Sequence, residues 1–182
     1  MNRCLILLAL LALGLPAETF AASHQWRFSE VFSNADGSVQ FIEMQECCGF
    51  SAEHQLTGKW IHTVNGNPRY NFPSNTNGAT DRQYLLFGTQ AFANLPNAPT
   101  PDYIIPANFL LTGGDVLEYW MYGDATWGYG AMPTDGILAL LRDGTTATNS
   151  PTNFAGESGS VDATVPVDAS TWGKIKALLI LD

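Results

Sequence analysis

Short extended runs, each ended by turn residues, place the strongest constraint on how this chain can fold. The clearest example is a period-two run, Trp26–Phe32, followed by the turn cluster 33–37 and a second run, Val39–Gln45. Alternation of apolar and polar residues with period two is typical of a half-buried strand, and the Asp-Gly pair in the turn favours a hairpin. We therefore predict that these two runs pair as antiparallel strands.

The same pattern recurs along most of the chain. Further strand candidates are Leu56–Val64, Arg69–Phe72, Tyr84–Phe87, Phe109–Leu111, Val116–Tyr122 and Ile137–Leu141. Residues 88–108 contain four prolines, which keep a chain out of sheet interiors, so we expect a Pro-rich surface excursion there. Residues 170–181 fit either a short capped helix or a last strand. Short strands with closely spaced turns predict an all-β sandwich.

The first residues have the features of an export signal. Arg3 precedes an apolar run, Leu5–Leu15, and small residues follow at positions 19, 21 and 22. Such a run is too short to span a bilayer and is typical of a secretory signal peptide, although a buried helix is the alternative. We predict a signal peptide over residues 1–21, a single domain over residues 22–182, and a periplasmic or extracellular location.

An excess of acidic residues limits the classes of partner. The chain has 17 acidic and 8 basic residues, for a formal net charge of −9. Nucleic acids and anionic membrane surfaces attract Lys and Arg, so we expect neither as a partner. No run after the predicted signal is long enough for a transmembrane helix. We expect a monomer with an unidentified protein or glycan partner.

The predicted hairpin brings two glutamates onto one buried face. With a four-residue loop at 34–37, Glu30 pairs with Phe41, and Phe28 pairs with Glu43. This register predicts a core-facing set that consists of Trp26, Phe28, Glu30, Phe32, Val39, Phe41 and Glu43. The two glutamates then become diagonal neighbours, about 7 Å apart.

Two buried carboxylates need partners for their charge, such as backbone amides, an arginine, a metal ion or a shared proton. We interpret Glu30 and Glu43 as structural carboxylates that bind loop amides. The alternatives are a Ca²⁺ site or an acid/base pair of the kind that glycosidases use.

Cys47 and Cys48, the cysteines that follow the predicted signal, are adjacent. An oxidising compartment favours a disulfide, although neighbouring Cα atoms lie closer together than in most disulfides. No basic residue nearby would lower a thiol pKa. We therefore favour a structural disulfide in a tight turn, or two thiols covered by a loop, over a disulfide ring that acts in redox chemistry or ligand binding. A disulfide between two chains is a third alternative. The expected product has one intramolecular bond.

Motifs for catalysis or metal binding are missing from the sequence. The histidines at positions 24, 54 and 62 lack metal spacing, and there is no nucleophile elbow, phosphate loop or dinucleotide fingerprint. We predict no catalytic residue, no metal centre and no cofactor, except that aspartates in turns allow one weak Ca²⁺ site. One aromatic cluster can stack on a ligand or, more commonly, fill a core: Trp120, Tyr122, Trp127 and Tyr129.

Five short motifs follow one another in order: Phe28–Asn34, Gln40–Met44, Leu56–Gly58, Tyr70–Pro73 and Gln83–Phe87. Together they resemble the lamin tail domain family in its bacterial, secreted form, over residues 26–122. The resemblance implies an immunoglobulin-like antiparallel β-sandwich without catalytic residues, used for binding, adhesion or surface scaffolding. Glu30 and Glu43 match the two glutamates of that family, whereas the stretch 47–55 and the insert 90–108 depart from its pattern.

The sequence therefore predicts an exported, non-enzymatic binding module. Two other functions stay open at this point. One is a carbohydrate-binding module that uses exposed aromatic rings, and the other is a glycan hydrolase that uses the carboxylate pair Glu30 and Glu43.

Overall fold

Two packed β-sheets make up the fold in the computed structural model, which describes residues 23–120 and 125–164. The described strands are β1 (Trp26–Ser33), β2 (Gln40–Glu46), β3 (Trp60–Thr63), β4 (Arg69–Asn71), β5 (Tyr84–Thr89), β6 (Tyr103–Ile105), β7 (Asp115–Tyr119), β8 (Trp127–Tyr129), β9 (Leu138–Leu141) and β10 (Thr146–Thr148). One helical turn, α1 (Gln90–Ala93), follows β5. The predicted all-β sandwich is confirmed.

The two sheets differ in size. A six-stranded sheet has the order β10-β9-β1-β2-β5-β6, and a four-stranded sheet has the order β4-β3-β7-β8. Neighbouring strands run antiparallel, except that β5 and β6 pair in parallel. This parallel partner lies within the predicted Pro-rich excursion, which therefore contributes an edge strand to the sheet. Within β6, Tyr103 and Ile105 are buried, whereas Ile104 points outward and is 43% exposed.

The hairpin forms as predicted, but its register differs from the predicted one. Ser33 pairs with Gln40 and Glu30 pairs with Glu43, so from Glu30 to Ser33 each residue meets a partner two positions further along β2 than expected. From Trp26 to Phe28 the difference is one position. The loop between the strands is longer than the four residues that we assumed, because the ladder ends at Ser33 and Gln40.

A β-bulge at Ser29 divides β1 into two parts. The alternation of side chains between the two faces of the sheet is reversed from one part to the other. The register shifts between Phe28 and Glu30, so that Phe28 pairs with Met44. An extra residue in one strand reverses which face the following side chains occupy. The predicted single core-facing set is therefore wrong: Trp26 and Phe28 lie on one face of the sheet, and Glu30 and Phe32 lie on the other.

The main core fills the space between the two sheets. It joins Phe28 and Ile42 of the six-stranded sheet to Ile61, Leu117 and Tyr119 of the four-stranded sheet, and all five are 0% exposed. Burying a side chain of this size contributes roughly 1.5–3 kcal/mol. These contacts hold the two sheets together.

A second, smaller core covers the opposite face of the six-stranded sheet. Phe32, Phe41 and Leu86 lie there against Phe92 of α1, together with Val161 from the segment 149–164. We call this segment the closing segment. Because both faces of the six-stranded sheet are apolar, the closing segment is needed to shield the outer one from water.

Two predicted elements lie outside the described residues, namely the signal peptide at 1–21 and the helix or strand at 170–181. Among the described residues, no helix is both long enough and apolar enough to cross a membrane.

Gly136 fixes one point at which the closing segment approaches the sheet. Its φ is +82°, and a Cβ atom there would lie 2.5 Å from the backbone carbonyl carbon of Ala163. Gly136 also accepts a hydrogen bond from the amide of Ala163. We expect Gly136→Ala to lower the free energy of unfolding by about 2–4 kcal/mol, because it adds a backbone clash to the left-handed strain.

Gly144→Ala is the matched control, because Gly144 has a φ of +87° but open space around the new methyl group. We expect it to cost only about 1–2 kcal/mol, from backbone strain alone. Urea unfolding of both variants measures the difference. Equal decreases in the free energy of unfolding of the two variants would show that the closing segment does not pack closely at Gly136.

Candidate functional site

The carboxylates of Glu30 and Glu43 lie on neighbouring strands, directly opposite each other rather than diagonally. The two residues are 3% and 4% exposed. Glu30 accepts hydrogen bonds from the amide of Ser150 at 2.9 Å and from its hydroxyl at 3.1 Å. Glu43 accepts bonds from the Ser29 hydroxyl at 2.7 Å and the Thr152 amide at 2.8 Å. Three of these four donor groups belong to the closing segment.

Burial changes the protonation of this pair. Desolvation raises the pKa of Glu43 to about 7, and the charge of Glu30 adds to the effect. Desolvation likewise raises the pKa of Glu30, although the bonds from Ser150 oppose the change. Two like charges in a buried site favour a state in which at least one carboxyl is protonated. The hydrogen bonds that the pair accepts from Ser150 and Thr152 attach the closing segment to the sheet.

Other polar side chains attach the closing segment in the same manner. The Asn149 side chain donates to the carbonyls of Ile137 and Val161, and it accepts from the amide of Val161. Asp102 accepts from the amide of Phe154 at 3.0 Å and from the amide of Leu86 at 2.8 Å. Side chains of this kind replace the ladder hydrogen bonds that an irregular segment lacks.

Cys47 and Cys48 are joined by a disulfide in the structure, directly after β2. The loop that contains them is attached through Glu46, which is 1% exposed. The Glu46 carboxylate accepts from the amides of Cys48, Gly49 and Arg82 at 3.0, 2.7 and 2.9 Å. Although desolvation opposes it, these amide bonds keep the pKa of Glu46 below its usual value. Glu46 therefore acts as a charged cap for this loop.

One group of possible metal ligands stands out among the described residues: Glu46, Cys47 and Cys48, whose ligand atoms lie within 4.8 Å of one another. A disulfide sulfur is not a thiolate, which is the form that binds metals. The Glu46 oxygens are already bonded to amides. The group is therefore not suited to a metal ion while the disulfide is intact.

Turn aspartates are the residue type on which the expected Ca²⁺ site depends. Asp36 and Asp143 each accept from the amide and hydroxyl two residues further on, and Asp135 accepts from the amides of Ile137 and Leu138. This is the usual way in which Asp stabilises a turn. The weak Ca²⁺ site stays a prediction.

The three described residues of the proposed stacking platform, Trp120, Trp127 and Tyr129, do not form one surface. Trp127 and Tyr129 are each 7% exposed and point into the main core from β8. Their rings are therefore not open to a ligand at the surface. Tyr122 lies outside the described residues. Trp120 differs from the other two described residues, since it is half-buried and adjoins a ring that the sequence analysis did not select, Trp60.

Trp60 and Trp120 are the centre of a cluster on the outer face of the four-stranded sheet, and Trp120 also packs against the main core. Their ring centroids are 6.0 Å apart, and the Arg69 guanidinium lies 4.1 Å from the centre of a Trp60 ring. The ring of His62 stands edge-on to Trp60 at 5.9 Å and also contacts the Glu118 carboxylate at 3.4 Å. We call Trp60, His62, Arg69, Glu118 and Trp120 the aromatic patch.

Strand alternation explains why the patch faces outward. In β3 the buried residues Ile61 and Thr63 alternate with the half-buried residues Trp60 and His62. Trp120 follows β7 with a φ of +50°, a conformation that bulky side chains rarely adopt. Unusual backbone geometry of this kind tends to occur at functional positions. The alternation around Ile61 was the signal that could have revealed Trp60 and His62 in the sequence.

In comparisons with known proteins, no family model, no curated protein and no solved structure matches this chain. Its function must therefore be inferred from its own side chains.

The raised pKa values of Glu30 and Glu43 predict how stability depends on pH. Between about pH 4.5 and about pH 7 the folded state binds more protons than the unfolded state, so the free energy of unfolding falls as the pH rises through this range. We expect a decrease of roughly 1–3 kcal/mol from this pair. Urea unfolding at pH 5 and pH 8 measures it.

Glu43→Gln is the informative variant, because the glutamine oxygen can still accept from the Thr152 amide while its NH2 group donates to the Ser29 hydroxyl, and no charge is carried. We expect this variant to show a smaller pH dependence and to be at least as stable as the parent at pH 8. Asp81→Asn serves as the control, because the Asp81 side chain is 58% exposed and lies outside the pair. A pH dependence that Glu43→Gln leaves unchanged would contradict our account of the pair.

Proposed function

We propose that this chain is an exported, non-catalytic binding module, and that its ligand is a glycan held on the aromatic patch. The observation that carries the proposal is a group of three flat side chains on an outer sheet face. The Arg69 guanidinium lies over the Trp60 ring at 4.1 Å, and the Trp120 ring lies next to Trp60 at 6.0 Å with its plane tilted by 51°. Large aromatic side chains that stay partly exposed contact ligands more often than single aliphatic ones do.

The chemistry of the patch fits a sugar. A pyranose ring has an apolar face of C–H groups, which can pack on an indole ring, and a rim of hydroxyl groups. Glu118 lies beside the rings and can accept hydrogen bonds from such hydroxyls, whereas the two ring nitrogens of His62 contact the Glu118 carboxylate and the Asn67 side-chain oxygen. A few polar groups next to apolar rings are the usual composition of a small-molecule site.

The hydrogen bonds of the glutamate pair support the non-catalytic part of the proposal. A general acid or base must reach a proton of the substrate. The carboxylates of Glu30 and Glu43 are instead covered by Ser150 and Thr152 of the closing segment. Each carboxylate already accepts two hydrogen bonds from the protein.

Membership of the lamin tail domain family is part of this proposal, and it rests on the five motifs in the sequence. The β-sandwich agrees with it, as do two paired glutamates in the first hairpin. Export through a signal peptide, a periplasmic or extracellular location, and a monomeric state complete the proposal.

Binding to a glycan array tests the patch. We expect Trp60→Ala to weaken binding to the recognised glycan about tenfold or more, because removing one stacked ring costs at least about 1.4 kcal/mol of binding free energy. The fold should persist, since Trp60 is on the outer face. Phe50→Ala is the control, because Phe50 is 53% exposed but lies outside the patch. We expect it to bind as the parent does.

Two results would contradict the proposal. Unchanged binding in Trp60→Ala would remove the patch as the site. Turnover of a bound glycan by the parent, abolished in Glu43→Gln, would show that the chain is a hydrolase that uses the glutamate pair.

A further inference from the structure

Asparagine followed by glycine occurs twice in the chain, at Asn65-Gly66 and at Asn77-Gly78. In such a dipeptide the backbone nitrogen of the glycine can attack the side-chain carbonyl carbon of the asparagine, because glycine has no side chain that hinders the approach. A β-branched residue precedes the asparagine in both places. The two sites therefore have similar local chemistry, and a difference in their reactivity must come from the fold.

At the first site, both groups that would have to react are bonded to one carboxylate, that of Asp115, which is 4% exposed. Asp115 accepts through Oδ2 from the amide of Gly66 at 2.9 Å. Through Oδ1 it accepts from the amide of Asn65 at 2.8 Å and from the side-chain NH2 group of Asn65 at 2.9 Å.

The Asp115 carboxylate opposes the reaction in two ways. The glycine nitrogen must lose its proton in order to attack, and a negative charge within hydrogen-bond distance disfavours an amide anion. The bond to the NH2 group also fixes the side-chain amide of Asn65, so its carbonyl carbon is not free to turn toward the nitrogen. Although desolvation opposes it, the bonds from Asn65 and Gly66 keep the pKa of Asp115 below its usual value, so the charge is present at neutral pH.

The second site, Asn77-Gly78, is in a different environment. Both residues are exposed, and within the described part of the chain neither the Asn77 side chain nor the Gly78 amide has a hydrogen-bond partner. Gly78 has a φ of +118°, and the nearest heavy atom to a Cβ built on it would be 3.8 Å away, on Phe154. The approach to the amide nitrogen of Gly78 is therefore open.

The chain on both sides of this second site is held in place. Asn75 accepts from the amides of Leu56 and Thr57, both at 2.8 Å, and the Thr80 hydroxyl donates to a backbone carbonyl at 2.7 Å. Residues 77–79 form an exposed tip between these two attachments. A chemical change at the tip removes none of these hydrogen bonds, so it is compatible with the folded state.

We propose that Asn77 is a site of spontaneous deamidation in the folded protein, and that the hydrogen bonds of Asp115 protect Asn65 from the same reaction. The nitrogen of Gly78 forms a bond to Cγ of Asn77, the bond from Cγ to Nδ2 breaks, and the NH2 group leaves as ammonia with the proton of the glycine nitrogen. Water then opens the cyclic imide at either carbonyl and gives an aspartate or an isoaspartate. One water is consumed, nothing is oxidised or reduced, and the product has one more negative charge. The inference does not depend on the proposed glycan surface.

Mass spectrometry of tryptic peptides tests the proposal, because cleavage after Lys59, Arg69 and Arg82 places the two sites on different peptides. The folded chain is incubated in mildly alkaline buffer, and a sample unfolded in guanidinium chloride is the reference. In the folded chain we expect Asn77 to deamidate about tenfold or more faster than Asn65, since the protecting hydrogen bonds are to a charged group. In guanidinium chloride we expect similar rates at the two sites.

Two results of this experiment would overturn the proposal. One is an equal rate at the two sites in the folded chain. The other is the absence of deamidation at Asn77 in the folded chain.

Anion-exchange chromatography of variants assigns the reacting residue. The incubated parent should form a more acidic species, and we expect Asn77→Gln to abolish it, because glutamine would have to close a larger ring. Asn71→Gln is the matched control, because Asn71 is exposed and lies on the same tryptic peptide but is followed by Phe72. It should form the acidic species as the parent does. An acidic species that Asn77→Gln leaves unchanged would overturn the assignment.

Asp115→Asn tests the protection. We expect Asn65 to deamidate about tenfold or more faster in this variant than in the parent, because the charged acceptor is lost. Amide hydrogen exchange of the parent tests the same point without a substitution, since it also requires loss of the glycine N–H proton. The amide of Gly66 should exchange about tenfold or more slowly than that of Gly78. Similar exchange rates, or a folded Asp115→Asn chain in which Asn65 reacts no faster than in the parent, would overturn the role of Asp115.

Discussion

A single extra residue in the first strand, Ser29, determines which face of the six-stranded sheet each side chain of β1 occupies. The bulge there lets Trp26 and Phe28 enter the core between the sheets, while Glu30 and Phe32 face the opposite side. The six-stranded sheet is consequently apolar on both faces. A sheet of this kind needs a cover on the side away from its partner sheet.

The closing segment is that cover, and its attachment explains the buried glutamates. A segment without regular secondary structure leaves its amides without ladder partners. Glu30, Glu43 and Asp102 accept hydrogen bonds from these amides, and the desolvation of the carboxylates is the cost. The hydrogen bonds of the pair therefore serve the architecture, and the candidate binding surface, the aromatic patch, lies on the outer face of the other sheet.

Local patterns in the sequence predicted part of this structure. Period-two alternation was sufficient for the hairpin and for the all-β class, because alternation depends on neighbouring residues alone. The register was not, because loop length and the bulge at Ser29 depend on packing against distant strands. The same limit applies to the aromatic residues. Alternation places Trp60 on the face opposite Ile61, but which face of the sheet meets the other sheet depends on packing between distant strands.

All four strands at the described sheet edges, β4, β6, β8 and β10, are three residues long. A long bare edge is a template on which a second chain can add a strand, and this leads to fibrous association. Edges this short offer few free amides and carbonyls for such growth. Many copies of the chain could therefore be crowded together without polymerising through their sheets.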